Sequence, residues 1–66
     1  MNIILNGEKR EVPEACTAAG LVDELQLGER RIAMEVNHEI VPRSRYANHP
    51  LHENDHVEIV HAIGGG

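Results

Sequence analysis

This 66-residue chain ends with the stretch His56-Val57-Glu58-Ile59-Val60-His61-Ala62-Ile63-Gly64-Gly65-Gly66. The first seven residues of this stretch are the most strand-like segment of the whole chain. β-Branched residues alternate there with polar ones, which predicts a strand over His56–Ala62. Val57 and Ile59 are expected to face a core, whereas Glu58 and Val60 face the other way. The segment therefore predicts a closing strand of a small sheet.

Three glycines follow that strand and carry no side chain to bury. The sequence predicts a folded domain over residues 1–63 and a flexible tail over residues 64–66. The α-carboxylate of Gly66 is an anion at neutral pH. It could attack the α-phosphate of ATP and give an acyl-adenylate open to a sulfur nucleophile, while Gly64 and Gly65 thread a narrow channel. A frayed chain end explains the three glycines equally well.

The rest of the chain predicts four further strands and one helix. Asn6-Gly7 is typical of a two-residue hairpin turn, because both residues tolerate positive φ, and Asn37-His38 is read as a second turn. The strands are predicted at Asn2–Leu5, Glu8–Val12, Ile32–Asn37 and Glu39–Val41. Residues 43–55 are predicted to be polar and irregular, with Tyr46 and Leu51 as anchors to the core.

The helix is predicted over Ala18–Leu27, with Thr17 as its N-cap and Gly28 as the residue that ends it. Its apolar positions recur at helical spacing on one face, which must pack on the sheet because so short a helix is unstable alone. The helix can supply the crossover that a parallel pairing of the first and last strands requires. The sequence thus predicts an α+β roll: a mixed sheet of four to five strands packed on one helix.

Composition excludes several classes of protein. A 66-residue chain with one aromatic residue makes one domain with an aliphatic core, too small for a deep substrate pocket, so we expect no enzyme. A net charge of −5 argues against nucleic acid and suits either docking on a positive partner or mere solubility. The sequence contains neither a membrane-length apolar run nor a secretory signal, so the expected location is the cytoplasm and the expected state a monomer.

Histidines invite a metal hypothesis that the sequence does not favour. His49, His52 and His56 are spaced like ligands on a helix. Pro50 and the turn residues around it make a regular helix there doubtful, so surface histidines and no metal site are expected.

Three other side chains are candidates for chemistry. Cys16 is the only cysteine, which excludes an intrachain disulfide, and an inert thiol beside a helix start is favoured over a nucleophile. Arg43 and Arg45 could bind a phosphate or a carboxylate. Solvated charges in a loop are the favoured interpretation for both arginines.

The whole chain resembles the ThiS family of sulfur carriers in thiamine biosynthesis. The stretches that carry the resemblance are Ile3-Ile4-Leu5-Asn6-Gly7-Glu8, Thr17 with Leu21-Val22-Asp23-Glu24-Leu25, Val36-Asn37-His38-Glu39-Ile40-Val41-Pro42-Arg43 followed by Tyr46, and Asp55 through Val57-Glu58-Ile59-Val60 to Ile63-Gly64-Gly65-Gly66. The family often has tryptophan at the position of Tyr46. Arg43 matches the family pattern, but no chemical role follows for it.

The resemblance implies a ubiquitin-like β-grasp fold and a carrier without catalysis of its own. A ThiF-type enzyme would use ATP and magnesium to adenylate Gly66, and a persulfide donor would convert the adenylate to a thiocarboxylate. A ThiG-type thiazole synthase would then receive the sulfur. The chain itself is expected to bind no cofactor, and the resemblance does not identify the sulfur donor.

Other functions compete with this one. A molybdopterin-synthase-type sulfur carrier is the alternative within the same class, although such a protein would normally be longer and more aromatic. A ubiquitin-like modifier would instead end in an isopeptide bond from Gly66 to a lysine. A plain binding module would have a tail without function. An apolar patch on the outer side of the last strand, with Val60 and Ala62, is a possible docking surface.

Overall fold

The computed structural model describes residues 1–28 and 30–61 of the chain. These residues form five strands, one α-helix and one 3-10 helix. Their bounds are β1 Asn2–Leu5, β2 Glu8–Glu11, α1 Ala18–Glu24, β3 Ile32–Val36, β4 Glu39–Val41, a 3-10 helix Arg43–Asn48 and β5 His56–His61. Ala62, predicted as the last residue of β5, and the predicted tail 64–66 lie outside the described residues.

The strands form one mixed sheet in the order β2-β1-β5-β3-β4. β1 and β5 run parallel, with Ile4 beside His56, as the crossover prediction required. The other neighbours are antiparallel. Both predicted two-residue turns have positive φ at both positions, 51° and 84° at Asn6-Gly7 and 51° and 72° at Asn37-His38. This conformation matches the right-handed twist of the flanking strands and sets their register.

The helix begins as predicted. Thr17 has extended backbone angles, and its hydroxyl oxygen accepts a hydrogen bond from the Gly20 N–H at 3.1 Å. This bond satisfies one of the backbone donors left free at a helix start. α1 covers Ala18–Glu24, and no helix in the described part of the chain is long and apolar enough to cross a membrane.

The helix ends earlier than predicted, and the predicted role of Gly28 is wrong. Gln26 takes the left-handed conformation with φ of 61°. The Leu27 N–H donates to the Val22 carbonyl and the Gln26 N–H donates to the Asp23 carbonyl, each at 3.0 Å. This pair of bonds is a Schellman motif, so the helix terminates through its own backbone without a glycine at the left-handed position.

The core lies between α1 and one face of the sheet. Tyr46 and Leu51 are both buried, which confirms them as anchors. The segment between Pro42 and His49 is nevertheless regular, because the backbone forms a 3-10 helix where an irregular stretch was predicted. The buried apolar residues are Ile3, Val12, Cys16, Ala18, Leu21, Val22, Met34, Val36, Val41, Tyr46, Leu51, Val57 and Ile59.

Candidate functional site at the end of β5

The predicted tail is attached to the central strand of the sheet. β5 lies between β1 and β3, and His61, its last residue, pairs with Ile32. Gly66 lies five positions after His61, so its carboxylate is at most about 17 Å from the end of β5. Gly64, Gly65 and Gly66 lie outside the described residues, and their roles stay predictions.

The side chain of Asn6 extends the pairing of β5 beyond the end of β1. Its Oδ1 accepts a hydrogen bond from the Ile59 N–H at 2.9 Å, and its Nδ2 donates to the Ile59 carbonyl at 3.3 Å. The amide therefore occupies the place of a strand residue, because it offers the same donor and acceptor. The Asn-Gly signal predicted only the turn and did not indicate this second contact.

Arg43 stabilises the loop that leads into β3, on the other side of β5. Its guanidinium donates to the carbonyls of Gly28, at 3.1 Å, and of Arg30. The guanidinium carbon also lies 5.8 Å from the centroid of the Tyr46 ring, within the range of a cation–π contact. Arg43 thus ties the 3-10 helix to the segment that precedes Ile32. Arg43 is exposed, in line with the predicted solvated charge, but it lies in a 3-10 helix and not in a loop. The prediction did not include the two carbonyl contacts, which the planar guanidinium makes at the same time.

Asn37 anchors the beginning of β5. Its Nδ2 donates to a carboxylate oxygen of Asp55 at 3.0 Å, and its Oδ1 accepts from the His56 N–H at 3.0 Å. The Asn37 N–H itself donates to the His56 carbonyl at 2.7 Å. Asparagines from the two neighbouring hairpin turns therefore hold β5 at its first residue, His56, and at Ile59. The stretch Val36–Arg43, which carries the family resemblance, contains two of these loop-fixing residues, Asn37 and Arg43.

The outer face of the sheet is partly apolar next to β5. Val60 is 59% exposed, as the alternation of β5 predicted. Ile40 on β4 is 75% exposed. Glu58 and Glu35 lie on the same face and pair across β5 and β3. Ala62, the other residue expected in an apolar patch here, lies outside the described residues.

Cys16 does not have the environment of a nucleophile. The side chain is buried, and its Sγ donates to the Thr17 carbonyl at 3.4 Å. Burial raises the pKa of the Cys16 thiol, and the nearby Glu24 carboxylate raises it further. Both effects disfavour the thiolate, which is the reactive form.

The three histidines at ligand spacing are not brought onto one helix. His49 follows the 3-10 helix, His52 lies in a loop with its Nδ1 3.8 Å from an Asp55 oxygen, and His56 begins β5.

Three shallow depressions among the described residues have volumes of about 140, 300 and 240 Å³. These volumes lie at or below the lower limit for small-molecule sites, about 300 Å³.

Comparison with known proteins gives full-length similarity. The family model described as "ThiS family" matches residues 3–66. The chain is 42% identical over 66 residues to a thiazole synthase of Paramagnetospirillum magneticum, covering all of this chain and 20% of that protein. It therefore spans about a fifth of the length of that relative. It is 27% identical to the sulfur carrier protein ThiS of Escherichia coli, with both chains fully covered.

A solved structure agrees with the fold. The crystal structure of the thiamine biosynthesis protein ThiS from Geobacter metallireducens superposes with a TM-score of 0.86, at 26% identity and with both chains fully covered. This match confirms the predicted β-grasp architecture, and the sheet has five strands where four to five were predicted. Family model, relatives and fold agree along the whole sequence, and the chain belongs to the ThiS family.

Proposed function

We propose that this chain is a sulfur carrier for thiazole formation in thiamine biosynthesis, and that Gly66 carries the sulfur. The observation that carries the proposal is the family match, which spans residues 3–66 and so includes Gly66. The position of the tail in the sequence supports it, since residues 62–66 follow β5, a strand that pairs with β1 at its beginning and with β3 from Val57 to His61. Three glycines without side chains reach at most about 10 Å, and so thin a segment suits delivery of a terminal group into a partner's crevice.

The proposed chemistry uses only the carboxylate of Gly66 on this chain. A ThiF-type partner holds ATP and magnesium, and a carboxylate oxygen attacks the α-phosphate, displacing pyrophosphate. The terminal sulfur of a persulfide then attacks the acyl carbon, and AMP leaves. Reduction of the resulting S–S bond by a thiol frees the thiocarboxylate, which donates its sulfur to a ThiG-type thiazole synthase.

The acceptor in this proposal is supported by the relatives. A thiazole synthase of Paramagnetospirillum magneticum includes a region similar to the whole of this chain. A carrier and its acceptor that act in one reaction benefit from being joined, because linkage raises their effective concentration. The chain is proposed to act as a monomer, and its acidic surface to dock on positive surfaces of its partners.

Intact-mass spectrometry tests the proposal directly. The chain is incubated with a ThiF-type enzyme, MgATP and a persulfide donor, and we expect the mass increase of one oxygen-to-sulfur exchange at Gly66. Gly66→Ala should abolish the exchange, because an added methyl group blocks a channel that fits glycine. Gly28→Ala is the matched control, because a Cβ at Gly28 meets no atom within 4 Å.

Three results would contradict the proposal. The first is an unchanged mass in the presence of an adenylating enzyme that modifies another carrier. The second is full exchange in Gly66→Ala. The third is a conjugate to lysines of other proteins in place of a thiocarboxylate, which would identify a protein modifier.

A further inference from the structure

We propose that Glu35, His38 and Glu58 form a site for one zinc ion on the outer face of the sheet. One ligand atom from each of the three side chains lies within 4.8 Å of the other two. The residues come from β3, from the turn that follows it and from β5, so the fold brings Glu58 beside two residues that are close to each other in sequence. The proposal is independent of the function proposed for Gly66.

The strand register places two like charges opposite each other. Glu35 and Glu58 are direct cross-strand partners on β3 and β5. Like charges in this position destabilise a sheet. Neither carboxylate takes part in the three ion pairs found among residues 1–28 and 30–61. A divalent cation between them would replace the repulsion by two attractions, and the net charge of −5 favours its approach.

The donor set selects the type of cation. Two carboxylate oxygens and one imidazole nitrogen suit zinc, whereas magnesium is typically bound through oxygen alone. Ligands of a tetrahedral zinc lie roughly 3.4 Å apart, given metal–ligand distances of about 2.1 Å. The three side chains need to close by about an ångström, and His38 and Glu58 are exposed and free to rotate. Three protein ligands leave one position for water.

The surroundings fit an ion better than an organic ligand. His38 and Glu58 line a depression of about 140 Å³ together with His56, which lies outside the ligand cluster. This volume is below the range of small-molecule pockets but accommodates a hydrated ion. The turn fixes the backbone of His38, whose φ of 72° is the one that the two-residue hairpin requires, while the exposed imidazole can rotate towards the ion.

Isothermal titration of the metal-free chain with zinc chloride tests the site. We expect one ion per chain, no heat with magnesium chloride, and a higher Tm when zinc is present. Glu58→Gln and His38→Asn should each weaken zinc binding at least tenfold. Loss of a residue that only hydrogen-bonds to a metal ligand usually lowers the affinity by at least about tenfold, and loss of the ligand itself should cost no less. Asparagine suits position 38 because it also adopts positive φ.

Two variants outside the cluster serve as matched controls. Glu39→Gln removes an exposed carboxylate and His52→Gln removes an exposed imidazole. Both variants should bind zinc with the affinity of the parent chain. Without zinc, Glu58→Gln should raise the Tm by about 2 °C, because the repulsion between the carboxylates of Glu35 and Glu58 is removed. The proposal is overturned if the parent chain binds no zinc, if Glu58→Gln or His38→Asn retains the parent affinity, or if His52→Gln loses it.

Discussion

The contact between Asn6 and β5 can be tested by Asn6→Gly, which keeps the positive φ of the turn and removes only the side chain. Two hydrogen bonds to Ile59 are lost, at 2.9 and 3.3 Å. At about 1 kcal/mol each, with less from the longer bond, the free energy of unfolding should fall by about 1.5 kcal/mol. For a domain of this size, the Tm should fall by about 6–12 °C.

Urea denaturation followed by circular dichroism measures this difference, and hydrogen exchange at the Ile59 amide locates it. Asn54→Gly is the matched control. Asn54 also has positive φ, 69°, and is exposed, and its side chain makes no hydrogen bond within the described part of the chain. The control should change stability by less than about 0.5 kcal/mol. Equal losses in the two variants would show that the Asn6 amide does not hold β5.

Three other perturbations have defined outcomes. Arg43→Ala should lower the free energy of unfolding, measured by urea denaturation, by about 1–2 kcal/mol, because two hydrogen bonds and a cation–π contact are lost. The control Arg45→Ala, in the same 3-10 helix, should lower it by less than about 0.5 kcal/mol. Equal losses in the two variants would refute the role of Arg43. Gln26→Gly should raise the free energy of unfolding by about 0.5–1 kcal/mol, because glycine adopts the φ of 61° without strain. Gln26→Ala is the control, and equal stability of the two variants would contradict this account. Cys16 should react with a disulfide reagent at pH 8 at least about tenfold more slowly than in the urea-unfolded chain. Because folding raises the pKa of the Cys16 thiol, the folded chain holds the thiol proton more tightly. The contribution of this thiol to stability should therefore be constant below the ordinary thiol pKa and fall as pH rises above it. Equal reaction rates in the folded and unfolded chains would contradict the burial of the thiol.

Local signals predicted the strands and the hairpins well. Asn6-Gly7 has few alternatives because a two-residue hairpin demands positive φ at both positions. The alternation in β5 correctly placed Val57 inside and Val60 outside. These features depend on a few neighbouring residues, which is why sequence alone was enough to predict them.

Three features were missed, of which only the role of Arg43 depends on residues distant in sequence. The helix end was assigned to Gly28 because glycine is favoured at left-handed positions, yet two backbone bonds hold Gln26 there instead. The 3-10 helix after Pro42 has no apolar repeat that could reveal it. The role of Arg43 needed knowledge that Gly28 and Arg30 lie beside the 3-10 helix. The acceptance of sulfur by Gly66 stays a prediction, because that residue lies outside the described chain.

The central position of β5 has a mechanical consequence. A partner that grips the tail and pulls would apply force along the axis of a strand bonded to β1 and β3. Hydrogen bonds of a sheet lie across the strands, so this load shears many of them together instead of peeling them one at a time. An edge strand such as β4 would present only one row of bonds to the same pull. The domain can therefore be drawn against a partner by its terminal residues while the sheet stays folded.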